Sequence, residues 1–201
     1  MAWRHRRMLD LFSGFGGASE AFVKGRGWEV IRVESEPMLE DVPHTVPMDV
    51  REVLDSELVG TYDVVWASPP CREFSLAYNA PGPRAQREGR DFEPSLELVQ
   101  AAKAVIDCLE PRWWVIENVR GAIPHLEPIL GEPTLIVGPF VLWGVFPTLD
   151  IPRGFEHQKG SPSGSADPLR SQRRAIVPYE ISRALRDAIE QTRTLDHFTS
   201  E

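Results

Sequence analysis

The chain has few cysteines and no long apolar run. Only two of its 201 residues are cysteine, Cys71 and Cys108, so a disulfide-rich scaffold is excluded and each thiol is interpreted singly. No apolar stretch approaches the roughly 18 residues of a membrane-spanning helix. The apolar stretch near the N-terminus is too short for a signal peptide. We therefore expect a cytoplasmic protein without a membrane partner.

An excess of positive charge is also missing. The 22 basic and 30 acidic residues give a net charge of −8, which argues against a simple basic nucleic-acid binder. Basic residues nevertheless outnumber acidic ones in residues 1–7 and 153–174, so a polyanionic partner stays open. The composition, 42% hydrophobic and 26% charged, is that of a globular domain that can bury one core.

Strand and helix patterns alternate along the first half of the chain. Amphipathic helices are predicted over Ala18–Lys24 and Leu96–Leu109, and Cys108 in the second is expected to be a small core residue. This rhythm predicts an α/β domain with a Rossmann-like, doubly wound and mostly parallel sheet. The predicted strands are Met8–Phe12, Trp28–Val33, a weak Val46–Val50, Tyr62–Ala67 and Arg112–Ile116.

The second half is less regular. Thr134–Val137 and Phe140–Trp143 predict strands, residues 157–171 predict a loop, and Pro178 is expected to begin an amphipathic helix. A long insert, residues 72–95, separates the fourth strand from its helix. Inserts of this length are commonly lids or binding loops.

A glycine-rich turn, Phe12-Ser13-Gly14-Phe15-Gly16-Gly17, follows the first predicted strand. Its position suits a nucleotide-like cofactor, although the spacing is not the dinucleotide fingerprint and a purely structural turn is the alternative. Glu34 ends the second strand 20 residues after Gly14, where an acid can accept hydrogen bonds from ribose hydroxyls. A solvated acid is the alternative there.

Two further groups follow strands at the same predicted edge. Ser68-Pro69-Pro70-Cys71 comes directly after a buried strand, which favours a nucleophilic thiol over a structural one. Glu117-Asn118-Val119 follows an apolar run, where desolvation would raise the pKa of the acid; an ion pair with Arg120 is the alternative. Because the carboxyl ends of parallel strands meet at one edge, these groups predict an active site.

In this order and spacing, the glycine turn, Pro69-Pro70-Cys71 and Glu117-Asn118-Val119 resemble the motifs of the DNA cytosine-C5 methyltransferases. The resemblance covers residues 7–121 and, more weakly, 174–189. It implies the class I fold of enzymes that use S-adenosylmethionine, in one domain over residues 1–201. The insert 72–95 would be the active-site loop, and residues 174–191 the closing turn and helix.

The resemblance also implies roles for single residues. Cys71 would add to C6 of a cytosine flipped out of duplex DNA, Glu117 would protonate N3, and Asn118 would position Glu117. No metal is expected. The residues expected to line S-adenosylmethionine are Phe12, Gly14, Phe15, Gly17, Glu34, Asp49, Val50 and Ser68. Those expected to contact the substrate are Pro70, Arg72, Ser75, Arg170, Arg173 and Arg174.

Some features of the family pattern are missing. Leu142–Pro147 is not followed by Gln-x-Arg-x-Arg, Arg174-Ala175 replaces a Gly-Asn pair, and only residues 157–171 stand in place of a large recognition region. The chain thus resembles compact phage or prophage members, which act in the cytoplasm of the host cell. A homodimer or a partner chain would then supply target recognition. The alternatives are an RNA or free-nucleotide substrate, or a non-catalytic binding module.

Overall fold

The computed structural model describes residues 5–152 and 166–198. In these ranges the strands are β1 (Arg6–Leu11), β2 (Trp28–Glu34), β3 (Thr45–Pro47), β4 (Val64–Ala67), β5 (Trp113–Val119), β6 (Leu135–Val137) and β7 (Phe140–Val145). The α-helices described are α1 (Glu20–Lys24), α2 (Pro81–Arg87), α3 (Glu97–Leu109), α4 (Ile123–Leu130), α5 (Arg170–Arg174) and α6 (Tyr179–Phe198). Short 3₁₀ helices lie at Pro37–Leu39, Val50–Asp55 and Arg120–Ala122.

The strands form one sheet in the order β3-β2-β1-β4-β5-β7-β6. The first five in this order pair in parallel, whereas β7 runs antiparallel to both β5 and β6. Ala67 of β4 pairs with Leu11 of β1 and with Ile116 of β5. The carboxyl ends of these strands therefore meet at one edge, and the predicted mostly parallel α/β sheet is confirmed.

Both faces of the sheet are covered, as expected of a doubly wound fold. Alternate residues of one strand point to opposite faces. Met8 and Trp66 pack towards α1 and α6, whereas Leu9 and Val65 pack towards α3. Burial on both faces explains why the central strands are continuous apolar runs.

The last helix, α6, packs against α1 and the residues just before it. The hydroxyl of Ser182 on α6 donates to the carbonyl of Ala18 at 2.6 Å and accepts from the amide of Ala21 at 3.1 Å. Just before α6, the carbonyl oxygen of Val177 lies 2.5 Å from where a Cβ on Gly17 would be. Only glycine therefore lets this segment pack against the turn after β1.

Several predicted boundaries differ from the structure. β5 continues through Glu117 and Asn118 to Val119, because β7 pairs with it in an antiparallel ladder beyond the end of β4. The weak third strand ends at Pro47, on the edge of the sheet where proline is tolerated, and Val50 begins a 3₁₀ helix. The insert contains α2.

Two other predictions had different outcomes. Cys108 is exposed rather than part of the core, because α3 buries a stripe made by Val99, Ala102, Val105 and Ile106 and Cys108 lies off that stripe. Of the predicted loop at 157–171, residues 157–165 lie outside the described residues, and its last two begin α5.

Candidate active site

The glycine turn is built on backbone conformations with positive φ. Phe12, Gly14 and Gly16 have φ of 56°, 54° and 76°, and the Gly16 amide donates to the Ser13 carbonyl at 2.7 Å. No atom lies within 4 Å of the position a Cβ on Gly14 would occupy. The face of the turn at Gly14 is therefore open, so a ligand can approach the backbone closely.

Glu34 holds this turn against the end of β2. One carboxylate oxygen accepts the Gly14 amide at 2.8 Å, and the other accepts the Glu36 amide at 2.9 Å. A carboxylate has about four lone-pair sites, so each oxygen can accept one more hydrogen bond. Glu34 is therefore not simply a solvated acid, and it can still accept from a ribose hydroxyl.

Asp49 and Val50, which were also predicted to line the cofactor, make other contacts in the structure. Both oxygens of Asp49 bind Arg51, at 2.9 Å to Nε and 2.6 Å to Nη2, and the hydrogen bonds with Arg51 lower the pKa of Asp49. The Val50 side chain is buried in the core beside Val33. The structure therefore does not present the Val50 side chain to a ligand.

A buried polar network that the sequence analysis missed supports the turn from below. Ser19 donates to Asp10 at 2.6 Å, and Arg32 donates to Ser19 at 2.9 Å and to the Gly16 carbonyl at 3.0 Å. A Cβ on Gly16 would lie 2.1 Å from the Arg32 guanidinium carbon. Burial raises the pKa of Asp10 to about 6. Charged residues inside two apolar strands were the available signal for this network.

The Ser68–Cys71 segment leaves β4 at the shared edge and is tied to β5. The Asn118 side-chain amide donates to the Pro69 carbonyl at 3.0 Å, and Asn118 Oδ1 accepts the Val119 amide at 2.9 Å. The Trp66 indole donates to the Ser68 hydroxyl at 2.8 Å. Asn118 is 1% exposed, so its bond to Pro69 is shielded from water and fixes the segment that carries Cys71.

Glu117 and Cys71 interact electrostatically across the two strand ends. Burial raises the pKa of Glu117 to about 7, against a smaller lowering by its hydrogen bond with Ser68. Burial, followed by the charge of Glu117, raises the pKa of the half-buried Cys71 thiol to about 11. Arg120 donates to the Gly138 carbonyl and is not the partner of Glu117. The pair therefore combines a carboxyl group that can hold a proton near neutrality with a thiol that is kept protonated first by burial and then by the charge of Glu117.

The insert is anchored at both ends. Phe74 is buried against Leu126 and Trp143, and Glu73 accepts the Ser95 amide at 2.7 Å. A cavity of about 200 Å³ lies between this anchored base and α3, and it is lined by Pro69, Pro70, Arg72, Glu73, Phe74, Ser95, Leu98 and Val99. The insert thus starts as part of the core, and a lid motion would have to pivot beyond Phe74.

The predicted substrate residues fall into two groups. Pro70 and Arg72 are exposed beside Cys71, whereas the Ser75 hydroxyl accepts the Ala77 amide at 3.2 Å within the insert. Arg170, Arg173 and Arg174 lie together on α5. The Arg173 guanidinium carbon is 4.6 Å from the ring centroid of Phe15, so α5 lies beside the glycine turn.

The glycine turn, Cys71 and Glu117 lie within a segment that matches a known family. Residues 6–128 match the family model of the C-5 cytosine-specific DNA methylases. The chain belongs to that family. The seven-stranded sheet is the one expected of the class I methyltransferase fold, and the matched segment contains Cys71, Glu117 and Asn118.

Individual relatives agree with this assignment. The chain is 31% identical over 117 residues to a probable DNA (cytosine-5)-methyltransferase of Frog virus 3 (isolate Goorha), covering 56% of this chain and 53% of the relative. It is 30% identical over 131 residues to the type II methyltransferase M1.HphI of Haemophilus parahaemolyticus, covering 58% and 33%. The chain therefore spans about half or less of the length of these curated relatives.

Among solved structures, a DNA modification methyltransferase encoded in an E. coli prophage overlaps with a TM-score of 0.44 at 19% identity. The match covers 70% of this chain and 46% of that one.

In the part of the chain that the structure describes, no cluster of three or more His, Cys, Asp or Glu side chains is arranged to hold a metal ion. No described helix combines the length and apolar character that a membrane crossing requires.

Proposed function

We propose that this chain transfers a methyl group from S-adenosylmethionine to C5 of cytosine in DNA through a covalent adduct of Cys71. The observation that carries the proposal is the coupling of Cys71 with Glu117, a buried acid whose pKa of about 7 lets it hold a proton near neutrality. Both residues lie within the family match. The proposed place of reaction is the cytoplasm.

The residues of the turn fit the proposed cofactor. At Gly14 the backbone is open to close approach, and the neighbouring Glu34 carries acceptors for ribose hydroxyls. Phe12, Phe15 and Gly17 belong to the same turn, and Ser68 begins the segment after β4. S-adenosylmethionine would supply a methyl group on a positively charged sulfur, and these residues would hold and orient it.

Cytosine C5 is a weak nucleophile, and the side chains of this site would activate it. Cys71 loses its proton to solvent and its sulfur forms a bond to C6, while protonated Glu117 donates to N3 and takes up the charge that the addition places on the ring. C5 then accepts the methyl group, which leaves S-adenosylhomocysteine as the second product. Loss of the C5 proton to a base and cleavage of the C6–S bond restore the aromatic ring and release Cys71 as a thiolate, while N3 returns its proton to Glu117.

Proton sharing by Glu117 would also help to form the thiolate. The negative charge of Glu117 is one cause of the high pKa of Cys71. When Glu117 is protonated or bound to N3, that cause is removed and the thiolate becomes easier to form. The carboxyl group of Glu117 would therefore both protonate the cytosine and favour the thiolate of Cys71.

Access to a half-buried thiol requires the target cytosine to leave the DNA stack. Arg72 and Ser75 of the insert, with Arg170 and Arg174 of α5, would contact the nucleic acid around it. Recognition of a target sequence would come from a second copy of the chain or from a partner. We also propose that residues 1–201 form a single domain.

The test uses radiolabelled S-adenosylmethionine with duplex DNA, single-stranded DNA, RNA or free cytidine nucleotides. Mass spectrometry of the digested product then identifies the modified base. We expect 5-methylcytosine in duplex DNA. Label in RNA or free nucleotide alone would replace DNA as the substrate, and cofactor binding without label in any substrate would favour a binding module.

The covalent step has its own test. DNA carrying 5-fluorocytosine should remain attached to the protein after denaturation, because fluorine at C5 cannot leave as a proton. Cys71→Ser should give no such complex, and the matched control Cys108→Ser should give it in full, since Cys108 is exposed on α3. A denaturation-resistant complex with Cys71→Ser would contradict the nucleophile assignment.

A further inference from the structure

Arg173 places a positive charge on the turn assigned to the cofactor. Its guanidinium carbon lies 4.6 Å from the Phe15 ring centroid, within the range of a cation–π contact. Its Nε donates to Asp167 at 2.8 Å. The side chain is thus held at two points, although about 45% of it is exposed.

Packing of the segment that follows α5 holds Arg173 near this turn. Three residues further along, Ile176 Cγ2 lies 2.7 Å from the position that a Cβ on Gly17 would take. The segment joining α5 to α6 therefore contacts the turn directly. Because Arg173 lies three residues before Ile176, this contact keeps Arg173 close to the turn. Arginine has five N–H donors, and the bond to Asp167 uses the one on Nε.

Charged side chains of opposite sign lie on the two sides of the turn. Glu34 binds the Gly14 amide on the side of β2, and Arg173 covers Phe15 on the side of α5. S-adenosylmethionine carries positive charge on its sulfur and its ammonium group, and its α-carboxylate is its one negative group. Asp167 offsets part of the Arg173 charge through its ion pair, and the donors of Arg173 that Asp167 does not use would pair with the third group.

We propose that Arg173 recognises the α-carboxylate of S-adenosylmethionine and so determines cofactor specificity. The proposal rests on the proposed function, because it requires that cofactor to bind this turn. It also separates Arg173 from the DNA contacts expected of its neighbours on α5. A guanidinium is suited to this role because its planar donors match a carboxylate.

The test is a calorimetric titration with S-adenosylmethionine and with its decarboxylated form. The wild type should bind the decarboxylated form about tenfold or more weakly, the scale of a lost charge-assisted hydrogen bond. Arg173→Gln should weaken S-adenosylmethionine by a similar factor and leave the decarboxylated form unchanged. Arg173→Lys should recover part of the preference, because it restores the charge without the planar donors.

Arg183→Gln is the matched control, since it removes an exposed positive charge from α6 and should keep the wild-type ratio. Thermal melts without ligand check the folding of each variant. A wild-type ratio in folded Arg173→Gln overturns the proposal, and so does an equal loss for both ligands or a loss confined to duplex DNA. In those cases, binding of S-adenosylmethionine by the wild type still supports the proposed function. If the wild type binds neither ligand, both proposals fail.

Discussion

The side-chain amide of Asn118 and the carbonyl of Pro69 are joined by a 3.0 Å hydrogen bond that is buried between two strands. Pro69 precedes the thiol of Cys71 by two residues, and Asn118 follows the acid Glu117. This one bond therefore sets the spacing between the proposed nucleophile and the proposed acid. It also gives Asn118 a role that is visible without substrate.

Asn118→Ala should slow methyl transfer by about tenfold to a hundredfold, because small displacements of a nucleophile have large effects on rate. The unpaired Pro69 carbonyl should also lower the free energy of unfolding by about 1–3 kcal/mol. Single-turnover kinetics and urea unfolding would measure the two effects. Asn118→Asp removes the donor and retains the oxygen that accepts from Val119, and it also sets a buried carboxylate against the Pro69 carbonyl, so the rate should fall at least as far. Normal rates in the folded alanine variant would contradict the positioning role.

Cys71→Ser should abolish turnover and leave the affinity for S-adenosylmethionine nearly unchanged. A hydroxyl is far less ionised than a thiol near neutral pH, so the bond to C6 should not form. Cys108→Ser should retain full activity because Cys108 lies on the exposed side of α3. Methyl-transfer assays and cofactor titration would measure both variants, and wild-type turnover by Cys71→Ser would remove Cys71 from the mechanism.

Glu117 should make both stability and activity depend on pH. Burial raises its pKa from 4.5 to about 7, so the folded state binds more protons than the unfolded state between these values. Stability should therefore fall as pH rises through this window, by at most about 3 kcal/mol. Denaturant unfolding of Glu117→Gln should show a flatter dependence there. The slope left between about pH 4 and 6 should come from Asp10, whose pKa is raised in the same direction.

Activity should respond to the same carboxyl group. The protonated form of Glu117 donates to N3, so its contribution to kcat/KM should decline as pH rises through about 7. Glu117→Gln should lose most of the activity and also this decline. An unchanged pH profile in that variant would mean that another group supplies the proton.

Glu34→Ala should weaken S-adenosylmethionine binding by about 1–3 kcal/mol, the scale of a charge-assisted hydrogen bond. The variant also frees the Gly14 and Glu36 amides that Glu34 now accepts, so the turn itself should loosen. Glu29→Ala is the matched control, because Glu29 lies exposed on the same strand. Calorimetry with equal affinities for the Glu34→Ala protein and wild type would exclude Glu34 from the cofactor site.

The proposed contacts to DNA are few, so binding should depend weakly on salt. We expect a log–log slope of about 3 to 4, because each neutralised phosphate contributes about 0.9. Changing Arg170 and Arg174 to glutamine should lower that slope by about 2 and weaken binding to all sequences alike. Fluorescence anisotropy at several salt concentrations would measure it. A wild-type slope of 8 or more would point to a larger basic surface, such as one made by two copies.

Much of the fold could be predicted because its local signals agree with its packing. All residues from Val64 to Ala67 are apolar, so both sets of alternating side chains are apolar. The structure buries them on both faces of the sheet. The convergence of the glycine turn, Cys71 and Glu117 follows from parallel strands that end at one edge. Such features need no knowledge of distant contacts.

The errors arose where distant contacts decide. The end of β5 depends on pairing with β7, which the local sequence does not reveal, so Glu117 was expected after the strand and lies within it. The assignment of Cys108 to the core was instead a local error, because the buried stripe of α3 passes beside it. The network of Asp10 and Arg32 was missed because it joins residues from two strands.

The contact between Gly17 and Val177 has a consequence for biosynthesis. A ribosome delivers the turn at Gly17 about 160 residues before the segment that closes it. While the chain grows from Glu117 to Val177, it therefore holds the thiol, the acid and the glycine turn without the segment that packs against Gly17. Cofactor capture should accordingly begin only after Ser182 has left the exit tunnel and α6 has docked on α1.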